Sequence, residues 1–174
     1  TFLQIVDHTY DVIISEPTNP WIAGVAGVFS HEFFRDCASR LRPDGMFLQW
    51  FQAYEMEDAV SLMVLDTFGV VFPCYTLWNP SHADMALVGS KRAYEPDFER
   101  IEQLLERSTV RDDLATMGIT SPLHLLTMHT ADFAQTAETK QWLGAINSDF
   151  FPVLEYIAPR GFYMGSKARG IRML

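Results

Sequence analysis

Two polar side chains near the ends of apolar runs are the first candidates for chemistry. Glu16 follows the β-branched run 10–15, and Gln49 lies in the apolar run 46–51. Parallel strands bring their carboxyl ends to one edge of a sheet, and α/β folds bind ligands at that edge. A carboxylate there can accept a proton from a bound amine. An amide there can hydrogen-bond either a ligand or the neighbouring loop, and both interpretations of Gln49 stay open.

The elements around these side chains predict a βαβ unit. A loop rich in Pro and Gly follows the strand 10–15, and Ser30 is then a suitable N-cap for a helix. Apolar residues recur at helical spacing over 33–41, and the turn 42–45 ends that helix. The run 46–51 is the second strand. A helical crossover of this length joins two parallel strands.

The following segments extend this unit. A helix over 57–68 precedes strands over 70–78 and 85–89, and the turn-rich residues 79–84 predict an antiparallel hairpin at the sheet edge. Four more helices are expected over 97–107, over 108–117, from 122 onward and within 131–143, and 147–174 is expected as loop with one short extended piece. We therefore predict an α/β fold, a partial Rossmann-like sheet with an antiparallel edge hairpin and a helical C-terminal extension.

Composition and charge exclude several classes of function. The net charge of −9 argues against nucleic acid, because a phosphate-tracking surface needs clustered Lys and Arg. The same charge suits a cationic ligand or simply keeps the domain soluble. Cys37 and Cys74 have no CxxC neighbour, so we expect neither a metal site nor a disulfide scaffold. No apolar run approaches a membrane span, and the predicted location is cytoplasmic.

The sequence also lacks the motifs of other enzyme classes. No G-x-S-x-G elbow occurs, which argues against a serine hydrolase, and the five His residues form no ligand pair. No G-x-G-x-x-G turn is present, although a doubly wound fold that binds a nucleotide uses such a turn. If the fold is of that type, we expect its nucleotide-binding motifs to precede this sequence.

The segment 10–21, Tyr-Asp-Val-Ile-Ile-Ser-Glu-Pro-Thr-Asn-Pro-Trp, resembles the catalytic strand and loop of the spermidine synthase family. The resemblance continues through 29–34, 41–46, 48–50, 80–81 and 85–91. A divergent bacterial branch of the family is indicated by 147–149 and 152–156. The family has the class I methyltransferase-like fold. The resemblance implies that residues 1–92 are the C-terminal half of such an α/β domain and that 93–174 are a helical extension and tail packed on it.

The resemblance also implies roles for three residues, and the position of Gln49 on its strand adds a fourth candidate. The family's catalytic Asp matches Glu16, its second Asp matches Asn19, and a substrate-side Tyr matches Asn79. Glu16 is therefore the expected catalytic base, and Asn19, Gln49 and Asn79 are the expected substrate-binding residues. Asn19 cannot neutralise a cation, so we expect weaker binding of a diamine or a different acceptor. Asn19 before Pro20 is also typical of a simple turn.

Three functions follow from the resemblance. The first is an aminopropyltransferase of polyamine biosynthesis, with decarboxylated S-adenosylmethionine as co-substrate and a polyamine or nucleoside as ligand, impaired while the nucleotide-binding half is absent. The second is a non-catalytic binding or scaffold module of the same fold. The third is an S-adenosylmethionine-dependent methyltransferase. No tightly bound cofactor or metal is expected. An exposed strand edge predicts a homo-oligomer.

Overall fold

The computed structural model describes residues 2–81, 83–134 and 145–171. Its strands are β1 (Tyr10–Ser15), β2 (Leu41–Gln52), β3 (Cys74–Ser81), β4 (Asp84–Ser90) and β5 (His129–Ala134). Its helices are α1 (Phe2–Ile5), α2 (His31–Arg40), α3 (Asp58–Val71), α4 (Phe98–Leu105), α5 (Ser108–Thr116), α6 (Pro122–Leu126) and α7 (Val153–Met164), with a 3-10 helix over Ala26–Phe29. The described residues thus form a mixed α/β fold.

The five strands form one mixed sheet in the order β1-β2-β4-β3-β5. β1 pairs with β2 in parallel through α2, which confirms the predicted βαβ unit. β2–β4, β3–β4 and β3–β5 are antiparallel, which confirms the hairpin of β3 and β4. The hairpin is not at the edge of the sheet as predicted, because β5 pairs with β3 and takes that position.

One face of the sheet, the covered face, packs against α2 and α3 through aromatic side chains. The ring of Phe68 lies 5.8 Å from that of Phe47 and 4.8 Å from that of Phe72, between centroids. All three are fully buried. A Cβ atom on Gly89 of β4 would lie 2.6 Å from the Phe68 ring and 2.7 Å from the Phe72 ring. Glycine at this position therefore lets α3 approach the sheet closely.

The other face, the open face, is formed by residues of the opposite parity along the strands. In β1, Val12 is 57% exposed and Ile14 is 65% exposed, although both are β-branched and apolar. Their neighbours across β2 and β4 are partly exposed: Leu48, Trp50 and Val88. Successive side chains point to opposite faces of a sheet, so these residues lie together.

The C-terminal half departs most from expectation. The helix expected within 131–143 is wrong over its first residues, because 131–134 belong to β5; 135–144 lie outside the described residues. The loop expected over 147–174 is wrong, because α7 occupies twelve of its residues, with Pro159 inside. The helix forms because Leu154, Ala158 and Gly161 bury one face of it. The helix expected over 57–68 is longer than predicted, because α3 runs to Val71. The strand expected from residue 70 therefore begins later, at Cys74.

The helix of the βαβ unit, α2, begins where the sequence predicted. Ser30 caps α2, and its hydroxyl accepts a hydrogen bond from the Phe33 amide at 3.2 Å. Cys37 on this helix is fully buried and free. Burial, with a smaller contribution from Asp36, raises the pKa of the Cys37 thiol to about 12. Cys74 is also free and only partly buried.

Within the described residues, none of the helices has both the length and the apolar character needed to cross a bilayer.

Candidate functional site

The predicted base, Glu16, lies immediately after β1 and is exposed. It stands at an apolar groove of about 350 Å³ on the open face. The walls of the groove are mostly hydrophobic side chains, among them Ile14, Leu48, Trp50, Trp78, Val88 and Met128. A carboxylate beside apolar walls can bind the amine of a ligand while the groove accepts its carbon chain.

Asn19 is half-buried in the loop that follows β1. Its carbonyl oxygen accepts a hydrogen bond from the Ile22 amide at 3.0 Å, which closes a turn over 19–22 with the buried Pro20 as its second residue. The turn that the sequence indicates at this position is therefore present. The backbone of Asn19 makes this bond, so the amide side chain is not required for it.

Gln49 lies on β2 opposite Ser15 of β1, but it is not part of the groove. Its neighbours Leu48 and Trp50 face the groove, so the alternation of side chains places Gln49 on the covered face. Gln49 is fully buried, and its Nε2 donates to the Trp50 carbonyl oxygen at 2.9 Å. Its Oε1 has no hydrogen-bond partner among the described residues. The Nε2 and Oε1 atoms of the buried Gln52 also lack a hydrogen-bond partner among the described residues.

Asn79 also points away from the groove. Trp78 and Pro80, on either side of it in β3, line the groove. The Asn79 Nδ2 donates to the sulfur of Met85 at 3.5 Å, and Met85 is fully buried. Of the four residues predicted for the site, the structure therefore places only Glu16 at the groove, with Asn19 in the adjoining loop.

Two residues that hold this loop, Asn147 and Glu155, were not predicted as site residues from the sequence. Asn147 is 1% exposed, and its Nδ2 donates to the carbonyl oxygens of Ala26 at 3.0 Å and Phe29 at 3.2 Å. The Glu155 Oε1 accepts a hydrogen bond from the Gly24 amide at 2.9 Å. The sequence did show a resemblance to the family at 147–149 and 152–156. That resemblance did not indicate which residues these segments contact.

Aromatic rings join the same loop to two other segments. Trp21 stacks on Phe162 of α7, with 5.5 Å between ring centroids, and meets Tyr54 edge-on at 6.0 Å. Tyr54 follows β2, so the loops after both parallel strands meet α7 here. These loops lie at the carboxyl ends of β1 and β2, where α/β sheets place their ligands.

Glu32, in the first turn of α2, has a pKa that is shifted by its hydrogen bonds to the C-terminal segment. Burial alone would raise its pKa. Hydrogen bonds outweigh that effect: the Asp149 amide donates to Oε2 at 2.9 Å and the Ser148 hydroxyl donates to Oε1 at 3.0 Å. The charge of His31 acts in the same direction, and the pKa of Glu32 falls below its ordinary value of 4.5.

No cluster of three or more His, Cys, Asp or Glu side chains suited to a metal ion occurs in the described part of the chain.

The fold and the site together define a mixed α/β protein with a candidate carboxylate after the first of two parallel strands. Known proteins share this N-terminal part. The family model of the spermine/spermidine synthase domain matches residues 1–81.

A polyamine aminopropyltransferase of Synechococcus sp. strain JA-2-3B'a(2-13) is 30% identical over 142 residues, which cover 71% of this chain and 46% of that protein. The chain thus spans about half the length of this curated relative. The N-terminal part of the chain is thus similar to the spermidine synthase/aminopropyltransferase family.

Proposed function

We propose that this chain is the acceptor-side part of an aminopropyltransferase with a Rossmann-like, class I methyltransferase-like sheet. The observation that carries the proposal is the position of Glu16, after a parallel strand and beside an apolar groove. The family match covers this strand and its loop. A strand pair in parallel followed by an antiparallel hairpin is compatible with that sheet.

The chemistry requires a neutral amine at the site. The nitrogen lone pair attacks the methylene carbon beside the sulfonium of decarboxylated S-adenosylmethionine. The new C–N bond forms as the C–S bond breaks, and methylthioadenosine leaves with the electron pair on sulfur. The nitrogen loses one proton, and Glu16 is the proposed acceptor. The apolar groove excludes water around the methylene chain of the polyamine.

The co-substrate must be held largely by other residues. The 174 residues contain no G-x-G-x-x-G turn. We therefore assign the nucleoside contacts to residues outside this sequence. With Asn19 where the family has a second carboxylate, the site offers one negative charge instead of two to a diamine. Weaker putrescine binding or a different amine acceptor is the expected result.

The first test is calorimetric titration with putrescine and, separately, with methylthioadenosine. Putrescine binding that is lost in Glu16→Gln and kept in Glu99→Gln supports Glu16 as the amine contact. Glu99 lies in the first turn of α4 and is exposed, so it controls for the general loss of a negative charge. Unchanged putrescine binding in Glu16→Gln would contradict the proposal.

Catalysis is tested on the chain joined to a front half of the family. Glu16→Gln should lower turnover about 100-fold or more, as expected for a lost general base. Methylthioadenosine as product marks aminopropyl transfer. S-adenosylhomocysteine as product would instead establish the methyltransferase alternative.

A non-catalytic binding or scaffold module is the second candidate. The observation that favours it is that Gln49 and Asn79 face the covered side of the sheet, which leaves Glu16 as the one predicted site residue in the groove. This function predicts no binding of either compound in the titration above and no effect of Glu16→Gln on any partner interaction.

The remaining properties are also proposals. We propose that the chain assembles as a homo-oligomer, because β1 is an edge strand and its exposed Val12 and Ile14 adjoin the apolar groove. A cytoplasmic location and the absence of nucleic-acid partners remain predictions from composition and charge.

A further inference from the structure

The C-terminal clamp, residues 147–171, contacts the loops that follow both parallel strands. Towards the loop after β1 it presents Asn147, Glu155 and Phe162. Towards the loop after β2, the Ala168 amide donates to the Ala53 carbonyl oxygen at 3.0 Å, and Arg160 lies 3.3 Å from Glu57. One C-terminal segment thus bridges the two loops at the ligand-binding edge of the sheet.

The clamp is anchored in the main core and is therefore a fixed reference for these loops. Asn147 donates through its backbone amide to the Thr67 hydroxyl of α3 at 3.0 Å, and its Oδ1 accepts from the Leu154 amide at 3.1 Å. Leu154 and Ile171 belong to the same buried cluster as the aromatic core. Buried side chains at both ends of the clamp fix its position.

Close packing also brings the clamp against the second loop. A Cβ atom on Gly161 would lie 2.8 Å from the backbone oxygen of Glu55 and 3.0 Å from the Met56 Cα. Only a glycine allows α7 to approach this backbone. Glu55 itself has a φ of 54°, in the left-handed region that non-glycine residues rarely adopt.

The loop after β1 is otherwise held by few hydrogen bonds. Over 18–25, its backbone bonds run within the loop, from Ile22 to Asn19 and from Val25 to Ile22. Among hydrogen bonds between described residues, the bond from the Gly24 amide to Glu155 is the one that ties 18–25 to a distant part of the chain. Gly24 lies in a turn and has a φ of 84°, in the left-handed region that favours glycine.

We propose that Glu155 is a positioning residue of the candidate site. Its carboxylate holds the loop through Gly24, and the clamp thereby sets where Glu16 and Asn19 stand relative to the groove. Loss of this bond lets the loop sample other conformations, and binding must then select the competent one. The consequence for amine binding rests on the proposed function, whereas the control of the loop does not.

Amide hydrogen exchange of the ¹⁵N-labelled chain, resolved by NMR, tests the control of the loop without a ligand. Glu155→Ala removes the acceptor, Glu155→Gln keeps an acceptor oxygen, and Glu99→Ala removes a first-turn carboxylate of another helix, α4. We expect Glu155→Ala to accelerate exchange at Gly24 about fivefold, the size of one net hydrogen bond. The other two variants should leave this rate close to that of the unaltered chain.

Two results would overturn the proposal. One is a Gly24 exchange rate that is the same in Glu155→Ala and the unaltered chain, or accelerated equally in Glu155→Gln. The other is equal acceleration at core amides such as that of Phe68, which would mark a general loss of stability instead of a local release of the loop.

Putrescine titration of the same variants separates this proposal from the proposed function. Where the unaltered chain binds putrescine, Glu155→Ala should weaken binding about fivefold and Glu155→Gln should restore it. Where the unaltered chain does not bind putrescine, the proposed function fails, and the exchange rates alone decide the role of Glu155.

Discussion

The two faces of the sheet differ in how far their apolar side chains are buried. On the covered face, Phe47, Phe68 and Phe72 are fully buried and in mutual ring contact. On the open face, Val12 and Ile14 remain more than half exposed, although their residue types suit a core equally well. Most of the aromatic packing that stabilises this chain therefore lies on the covered face, whereas the open face leaves apolar side chains exposed to solvent.

The largest effect should come from removing a ring on the covered face. Phe68→Ala is expected to lower the free energy of unfolding by about 3–5 kcal/mol, since it leaves a cavity among aromatic side chains. Urea unfolding measures this loss. Ile14→Ala is the control on the open face, and because Ile14 is 65% exposed we expect a change of less than about 1 kcal/mol. Equal losses in the two variants would refute the difference between the faces.

Adding a methyl group should separate the tightly packed positions from open ones. Gly89→Ala places a Cβ inside the contact of Phe68 and Phe72, and we expect a loss of about 1–3 kcal/mol. Gly27→Ala is the matched control, because a Cβ there would meet no atom within 4 Å. Thermal unfolding of both variants makes the comparison. A stable Gly89→Ala protein would show that α3 can move away from the sheet at little cost.

Charge on the open face should alter assembly and leave the fold intact. We expect Val12→Lys and Ile14→Lys to shift the chain from oligomer to monomer in light scattering, with less than about 1 kcal/mol change in unfolding free energy. Val70→Lys is the control, since Val70 is 47% exposed but lies at the end of α3. An unaltered chain that is monomeric at high concentration would contradict the proposed homo-oligomer.

The smallest expected effect is on stability at acid pH, and it comes from Glu32 on α2, which lies on neither face of the sheet. Glu32 has a pKa below its ordinary 4.5 in the folded chain, so its contribution is present above that value and is lost as the pH falls through the folded pKa. We expect the contacts of Ser148 and Asp149 to weaken over that range. Glu32→Gln should remove this part of the pH dependence of unfolding, by less than about 1 kcal/mol. An identical dependence in both proteins would argue against it.

Local signals were enough to predict most elements of the first half of the fold, although the turn expected over 42–45 is wrong, because β2 begins at Leu41 and runs through these residues. The β-branched run of β1, the Ser30 cap and the turn-rich link between β3 and β4 each act within a few residues. β5 was missed because its strand character depends on pairing with β3, about 50–60 residues earlier. α7 was missed because Pro159 argues locally against a helix that burial on one face stabilises.

The candidate site could be predicted only in part, because side chains alternate between the two faces of a sheet and the sequence does not show which face a residue joins. The resemblance gave positions along the strands, but a shift of one residue moves a side chain to the other face. Glu16 falls on the same side as the groove, while Gln49 and Asn79 fall on the opposite one. The contribution of Glu155 could not be predicted, since it rests on a contact across 131 positions.

The buried thiol of Cys37 gives this chain an internal reporter of its own opening. With a pKa of about 12, the folded protein holds almost no thiolate at Cys37 near neutral pH, and the side chain is out of reach of solvent. Alkylation of Cys37 therefore proceeds through molecules that have opened, whereas the partly exposed Cys74 can react in the folded state. The labelling rate of Cys37 under native conditions then measures the small population of open molecules without denaturant.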